Sequence, residues 1–254
     1  MSRLFDVSGR QVLVTGGSRG IGEMIVHGFA EAGATVYVSS RKAEACEAVA
    51  EAAGDDVHAI PCDVSTTAGC EALAAAVAER TDRLDVLVNN AGVTWGADIE
   101  DYPDEQFDRV LGVNVRAPFR MGVACLDLLR AAASDERPAR IINIGSVDGI
   151  QVPAFESYAY SSSKAAVHQL TRHMASRLAR EHITVNAIAP GLFPSKMTKF
   201  IFDNMADELA AQTPMGRNGS ADDIAGAAIY LASPAASWVT GAILPVDGGL
   251  VTTK

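Results

Sequence analysis

Cysteine is sparse, and no CxxC pair occurs: Cys46, Cys62, Cys70 and Cys125 stand apart in a chain of 254 residues. No histidine follows Cys62 and Cys70 at a metal-ligand spacing, so plain reduced thiols are expected in place of a zinc site or a disulfide framework. His168 and His173 are five apart, a poor spacing for joint ligation on a helix, and no metal is expected. Long apolar runs are missing too. None reaches the roughly 18 residues of a membrane-spanning helix, and Asp6 and Arg10 interrupt the N-terminus where a signal peptide would carry its apolar core. Positive charge is the third shortage, with 21 Lys+Arg against 31 Asp+Glu and a formal charge of −10. That balance disfavours nucleic acid, because phosphate contacts need a local cationic excess, although a small basic pocket stays compatible with it. A soluble, cytoplasmic protein without a membrane or nucleic-acid partner is the expectation.

What the chain has is apolar material: 48% of its residues are hydrophobic, enough for a sizeable core. Short β-branched runs alternate with longer Ala-rich segments. The runs Gln11–Thr15, Thr35–Ser39, Val57–Pro61, Leu84–Asn89, Arg140–Gly145, Ile183–Ile188 and Ala242–Val246 read as strands. Most are apolar throughout, as in strands covered on both faces. Helices are predicted over about Gly20–Ala32, Lys42–Ala53, Thr66–Arg80, Phe107–Ala133, Tyr158–Glu181 and Ala221–Ala232. This alternation predicts a single α/β domain over residues 1–254, a doubly wound parallel sheet of the Rossmann type with about seven strands. The irregular stretch at about 189–219 lies inside the alternation and reads as a mobile substrate lid.

The first strand runs straight into Thr15-Gly16-Gly17-Ser18-Arg19-Gly20-Ile21-Gly22 and then a helix. Glycines there let a pyrophosphate approach bare amides at the positive end of the helix. The run lacks the Gly-Lys-Ser/Thr ending of a P-loop, which disfavours a kinase or ATPase. At the end of the second strand a carboxylate would bind the 2′-hydroxyl of NAD, whereas a basic residue accommodates the 2′-phosphate of NADP. Ser39-Ser40-Arg41-Lys42 carries no carboxylate. Arg41 and Arg19 are placed to close on a phosphate from two sides; the alternative is that Arg41 and Lys42 simply open a solvated helix. NADP(H) in preference to NAD(H) is the cofactor expectation.

Tyr160 and Lys164 are four apart, a spacing that stacks them on one helix face. An ammonium beside a phenol lowers its pKa from near 10 toward useful proton transfer; the alternative is an ordinary exposed helix pair. Ser146 follows the fifth strand, whose carboxyl end opens onto the ligand crevice in this topology.

Thr15 to Gly22, Asn89-Asn90-Ala91-Gly92, Asn114, Ser146, Tyr160-Ser-Ser-Ser-Lys164 and Pro190-Gly191 occur in this order, and the chain resembles the short-chain dehydrogenase/reductase family over nearly its whole length. The resemblance implies that Tyr160 is the acid in carbonyl reduction or the base in alcohol oxidation. Ser146 would bond the substrate oxygen, Lys164 would hold the nicotinamide ribose and lower the Tyr160 pKa, and Asn114 would support a proton-relaying water. Gly16, Ser18, Arg19, Gly20, Ile21 and Gly22 would form the phosphate loop, with Ser40 and Arg41 at the adenosine ribose. Cys62, Asp63 and Val64 would meet the adenine, and Asn90, Ala91 and Gly92 would line the cofactor near the other ribose. Pro190, Gly191, Phe193 and Ser195 would complete the site, Ser195 standing where the family often has threonine. Ser146 and Tyr160 are fourteen apart, one more than the usual spacing.

A narrower resemblance, in Ile144 to Val152 and Ala165 to Thr171, is to the 3-oxoacyl reductase branch associated with rhamnolipid synthesis. It implies NADPH-dependent reduction of a 3-oxoacyl thioester or related ketone. A dehydrogenase oxidising a sugar, polyol or other secondary alcohol is the alternative, and a non-catalytic cofactor-binding regulator is a further one. The apolar residues between Phe193 and Met205 either cover an apolar substrate or pack on the domain or a neighbouring subunit. Lys196, Lys199 and Arg217 are candidates for docking a carrier protein. A homotetramer or homodimer is expected by the resemblance, with Trp238 either an interface anchor or core.

Overall fold

The computed structural model describes residues 3–194, 208, 210, 211 and 213–253. Among these, seven strands form one sheet: β1 (Gln11–Thr15), β2 (Thr35–Ser39), β3 (Val57–Ala59), β4 (Val86–Asn89), β5 (Ala139–Ile144), β6 (Ile183–Pro190) and β7 (Ile243–Val246). Their order is β3-β2-β1-β4-β5-β6-β7, and every neighbouring pair is parallel. From β1 the chain builds outward to β3, returns to the middle and builds the other way from β4. The loops after β1 and β4 therefore diverge, and a crevice opens above the carboxyl ends of those strands.

The strands are apolar on both faces because helices cover both. On one face Val12, Val14, Val36, Val38, Val86 and Val88 meet Ile25, Val26 and Phe29 of α1 (Gly20–Glu31) and Ile224, Ala228 and Leu231 of α8 (Ala221–Ala232). On the other, Leu13, Leu87, Ile141 and Val185 meet Leu73 and Val77 of α3 (Thr67–Ala78) and Met121 of α5 (Ala117–Ala124). Leu129 of α6 (Leu126–Ala132) and Met174 of α7 (Tyr158–Leu178) complete that layer. Val12 and Leu13, neighbours in sequence, thus belong to opposite cores, as the two-residue period of a strand requires. Each fully buried Leu, Ile or Phe contributes about 1.5–3 kcal/mol. Further α-helices among the described residues are α2 (Ala43–Ala53) and α4 (Asp104–Leu111).

The long helix expected over Phe107–Ala133 is found in pieces. α4 passes into a π-turn at Gly112–Arg116, then α5 and α6 follow, divided at Cys125. Pro118 explains the first interruption: it has no N–H for the Asn114 carbonyl, so the i→i−4 ladder fails there. The Ala117 N–H reaches back to Gly112 instead. β3 ends before Pro61, which cannot donate to a ladder, and β6 runs on to Pro190 because it continues to pair with β7 through Val246. Trp238 is fully exposed, which excludes the core alternative. Residues 195–207, 209 and 212 of the expected lid, with Ser195, Lys196 and Lys199 among them, lie outside the described residues. No described helix is long and apolar enough to cross a membrane, and the four cysteines are free thiols.

Candidate active site

The turn after β1 is built for close approach. Gly16 has φ +66°, and a Cβ there would lie 2.8 Å from the Ala91 Cα. A Cβ at Gly22 would collide with the Asn90 amide and the Gly16 carbonyl. Thr15 and Asn90 lock this juncture. The Thr15 Oγ1 accepts from the Asn90 and Ala91 N–H groups at 3.1 and 3.2 Å, and Asn90 Nδ2 donates to the carbonyls of Thr15 and Gly16 at 3.0 and 2.9 Å. Asn90, expected to line the cofactor near a ribose, is half-buried at this juncture, and its Nδ2 holds the two switch-point loops together.

α1 begins here with no side chain capping its N–H groups. The Gly17 N–H donates to the Ser39 carbonyl at 3.1 Å, which ties the turn to the end of β2, where Ser40 is half-buried and Arg41 exposed. Arg19 is exposed on the turn itself, with Ser18, Gly20 and Ile21 half-buried beside it. A bare glycine turn, an uncapped helix N-terminus and two free-standing guanidinium groups fit a dinucleotide bearing an extra phosphate. Cys62, Asp63 and Val64 follow β3 on the same edge. Asp63 is exposed and caps its own turn by accepting from the Ser65 N–H at 3.0 Å, while Val64 is buried.

Across the crevice, Ser146, Tyr160 and Lys164 converge. Ser146 is buried just beyond β5, and Lys164, four residues after Tyr160 on α7, is buried beneath it. The Lys164 Nζ stands 5.4 Å from the centre of the Tyr160 ring and donates to the Ile144 carbonyl at 2.8 Å. Gly92 faces this group: a Cβ there would be 3.4 Å from Asn114 Oδ1 and 3.8 Å from Lys164 Nζ. Asn114 itself is a clamp. Its Nδ2 donates to the Val93 carbonyl and to Ser163 Oγ, and its Oδ1 accepts from the Val93 N–H, each at 2.9 Å. A water at Asn114 therefore has to be held by the second Oδ1 lone pair or by the main-chain carbonyl deprived of its usual donor by Pro118. Tyr158 points elsewhere, bonding Glu156 and stacking edge-on against Tyr102.

One electrostatic expectation is corrected. Lys164 was expected to lower the Tyr160 pKa, but burial, assisted by the Asp148 carboxylate, pushes Tyr160 up to about 12, against a hydrogen bond with Ser146. Burial likewise lowers Lys164 to about 8, with Asp148 acting the other way. Removal from water disfavours the phenolate and the ammonium alike. In the chain alone Tyr160 is a firmly protonated phenol, suited to donating a proton.

Pro190 and Gly191 close the site from the end of β6, with the Gly191 N–H donating to the Val246 carbonyl at 3.0 Å. Phe193 was expected in the cofactor site, its ring either over a substrate or packed on the domain; the ring is buried in the core, against the position where Gly219 leaves room. The sequence reading also passed over the polar chain beneath the site, where Asn89 Nδ2 donates to Asn143 Oδ1 and Asn143 Nδ2 to Thr171 Oγ1, both at 2.9 Å. Asn89 and Asn143 sit within otherwise apolar strand runs, and that interruption was the available signal. Asp148 had none.

A sheet of this order with Ser, Tyr and Lys gathered at the switch-point crevice defines an NAD(P)-type oxidoreductase. The family described as enoyl-(acyl carrier protein) reductase matches residues 16–251, and the chain belongs to the short-chain dehydrogenase/reductase family. It is 50% identical over 253 residues to the rhamnolipids biosynthesis 3-oxoacyl-acyl-carrier-protein reductase of Pseudomonas aeruginosa, covering 98% of this chain and 99% of that one. It superposes on the Pseudomonas aeruginosa RhlG/NADP active-site complex with TM-score 0.95 and 49% identity, over 99% of this chain and 100% of that one. A gluconate 5-dehydrogenase from Burkholderia cenocepacia, solved with NADP and tartrate, aligns with TM-score 0.90 and 33% identity over 98% of each chain.

Proposed function

We propose that the protein is an NADPH-dependent reductase of a 3-oxoacyl thioester or a related apolar ketone. The observation that carries this reading is the cluster of Ser146, Tyr160 and Lys164 at the crevice, with Tyr160 held as an acid. Ser146 donates to the substrate oxygen, Tyr160 delivers the proton to it, and Lys164 supplies buried positive charge and spare N–H donors below. The glycine turn would hold the pyrophosphate of NADPH, and Arg19 and Arg41 its extra phosphate; the cofactor would supply the hydride. Gly92, Asn114, Pro190 and Gly191 position the far side of the cofactor site.

The substrate class is supported by the rim. Trp95, Ile150, Val152 and Phe155 are all substantially exposed, Val152 at 92%. Their two loops are joined by an Ala97 N–H to Glu156 carbonyl bond of 3.2 Å. An exposed apolar rim next to a catalytic centre suits an acyl chain better than a polyol. The free cysteines suit a cytoplasmic location. Exposed Phe119 and Val123 on α5, with Trp238, are faces for a homodimer or homotetramer. Chain-length-dependent oxidation of NADPH with 3-oxoacyl thioesters, much weaker with NADH, is the expected assay result. Tyr160→Phe should lose roughly 10²–10⁴-fold in kcat with cofactor binding retained. Turnover of polyols with NADP⁺ but of no 3-oxoacyl substrate would replace this reading by the dehydrogenase one.

A further inference from the structure

We propose that Asp148 is a specificity-determining residue that sets the site against substrates carrying a negative charge beside the reacting carbon. The inference rests on the reductase reading of the same site and names the charge class it accepts.

Asp148 lies two residues beyond Ser146, and its own N–H donates to Ser146 Oγ at 3.1 Å, so its position is tied to the hydroxyl that meets the substrate. The turn Val147–Gly149 is seated on α7 without slack. A Cβ at Gly149 would be 2.6 Å from the Lys164 carbonyl carbon and 2.9 Å from His168 Cε1. Asp148 is half-buried there. Its carboxylate acts on both Tyr160 and Lys164, yet Lys164 aims Nζ at the Ile144 carbonyl rather than pairing with it. The other titratable group packed against the turn, His168, is held neutral down to about 4 by burial and by the nearby Lys164 and Arg172 charges, and so brings no compensating cation. Farther out, Asp98, Glu100 and Glu156 surround Tyr158 with more negative charge.

An anionic carbonyl compound therefore meets a carboxylate next to Ser146 and acidic groups at the entrance, with Lys164 as the one ammonium facing the turn among the described residues. In a partly desolvated site such repulsion is felt strongly. A neutral ester, thioester or polyol meets no such penalty, and the apolar rim favours the first two. Free 3-oxo acids and aldonates are disfavoured, which separates this site from one that takes gluconate.

The test uses the full chain with NADPH and a matched pair, acetoacetate and its N-acetylcysteamine thioester. Asp148→Asn should raise the acetoacetate-to-thioester ratio of kcat/KM about tenfold, whatever its effect on the turnover common to both. Asp148→Glu should keep the wild-type ratio. Binding of tartrate to the NADP⁺-loaded protein, followed by calorimetry, gives a second readout that needs no turnover: weak in wild type, about tenfold tighter in Asp148→Asn. An unchanged acetoacetate-to-thioester ratio with unchanged tartrate affinity would overturn the proposal. So would loss of NADPH binding in both Asp148→Asn and Asp148→Ser, which would make Asp148 a structural support of the turn. If wild type reduces neither carbonyl compound, the reductase reading falls separately, and the tartrate comparison still decides the role of Asp148.

Discussion

The two ends of the one sheet handle buried polarity in opposite ways. At the amino ends of the strands charge is consumed. Asp85 is 1% exposed and sits among three guanidinium groups, Arg10 at 3.6 Å, Arg83 at 3.5 Å and Arg137 at 3.3 Å, while its other demand is met by the Gln11 N–H at 2.9 Å. Arg140, equally buried, spends its Nη2 on the Ser233 carbonyl and Ser237 Oγ. Burial and the neighbouring Arg10 lower its pKa to about 10. At the carboxyl ends, by contrast, Ser39 Oγ, Asn89 Oδ1 and His168 Nε2 are buried without a hydrogen-bond partner, and buried Lys164 uses one N–H on the Ile144 carbonyl. Buried polar groups are costly unless satisfied. The amino end pairs its charges and leaves Arg140 Nε over, whereas the carboxyl end, where the crevice opens, leaves several buried polar atoms over.

Removing Asp85 should give the largest effect of a stability kind. Asp85→Ala strands Arg10 in the interior and is expected to cost about 3–5 kcal/mol in denaturant unfolding. The protein that remains folded should turn over within about twofold of wild type. A drop in kcat of the folded fraction matching that in stability would break the division between the two ends.

His168 lies on the catalytic end and carries the pH dependence. Its folded pKa, about 4, lies below the ordinary value of 6.5. The unfolded chain therefore binds the proton first, and the stability of the neutral buried ring is present above pH 6.5 and lost as pH falls toward 4. On the order of 3 kcal/mol is at stake across that window. His168→Gln should flatten the fall of stability between pH 6.5 and 4 in urea titrations at several pH values; an unaltered slope would put the acid lability elsewhere.

The smallest effect belongs to the start of α8. Ser220 and Asp223 form a reciprocal cap, and Arg217 grips the same carboxylate at 2.6 and 2.9 Å. Asp223→Ala should cost about 1 kcal/mol, seen as a small shift of the urea midpoint. Because Asp223 is partly exposed, a much larger loss would mean that the pair also braces the segment above the site.

The alternation of apolar runs with Ala-rich segments was enough to place all seven strands, because a strand covered on both faces has to be apolar throughout. Glycine spacing located the phosphate turn, since only glycine tolerates the approach of Ala91 to residue 16. The Tyr160 to Lys164 spacing and the ordered motifs pointed to Ser146, Tyr160 and Lys164, which the fold brings together at the crevice. What local sequence left undecided is what depends on neighbours distant in the chain. That Asn90 and Asn114 are clamps follows from Thr15 and Ser163 being the partners within reach. That Phe193 turns inward follows from the room left by Gly219. That Tyr160 is raised in pKa follows from its depth and from a carboxylate on a different element. Residue type and spacing determine which chemistry a segment can perform; burial and electrostatic company, which exist only once β4, β5 and α7 are packed together, decide the protonation state in which it performs it.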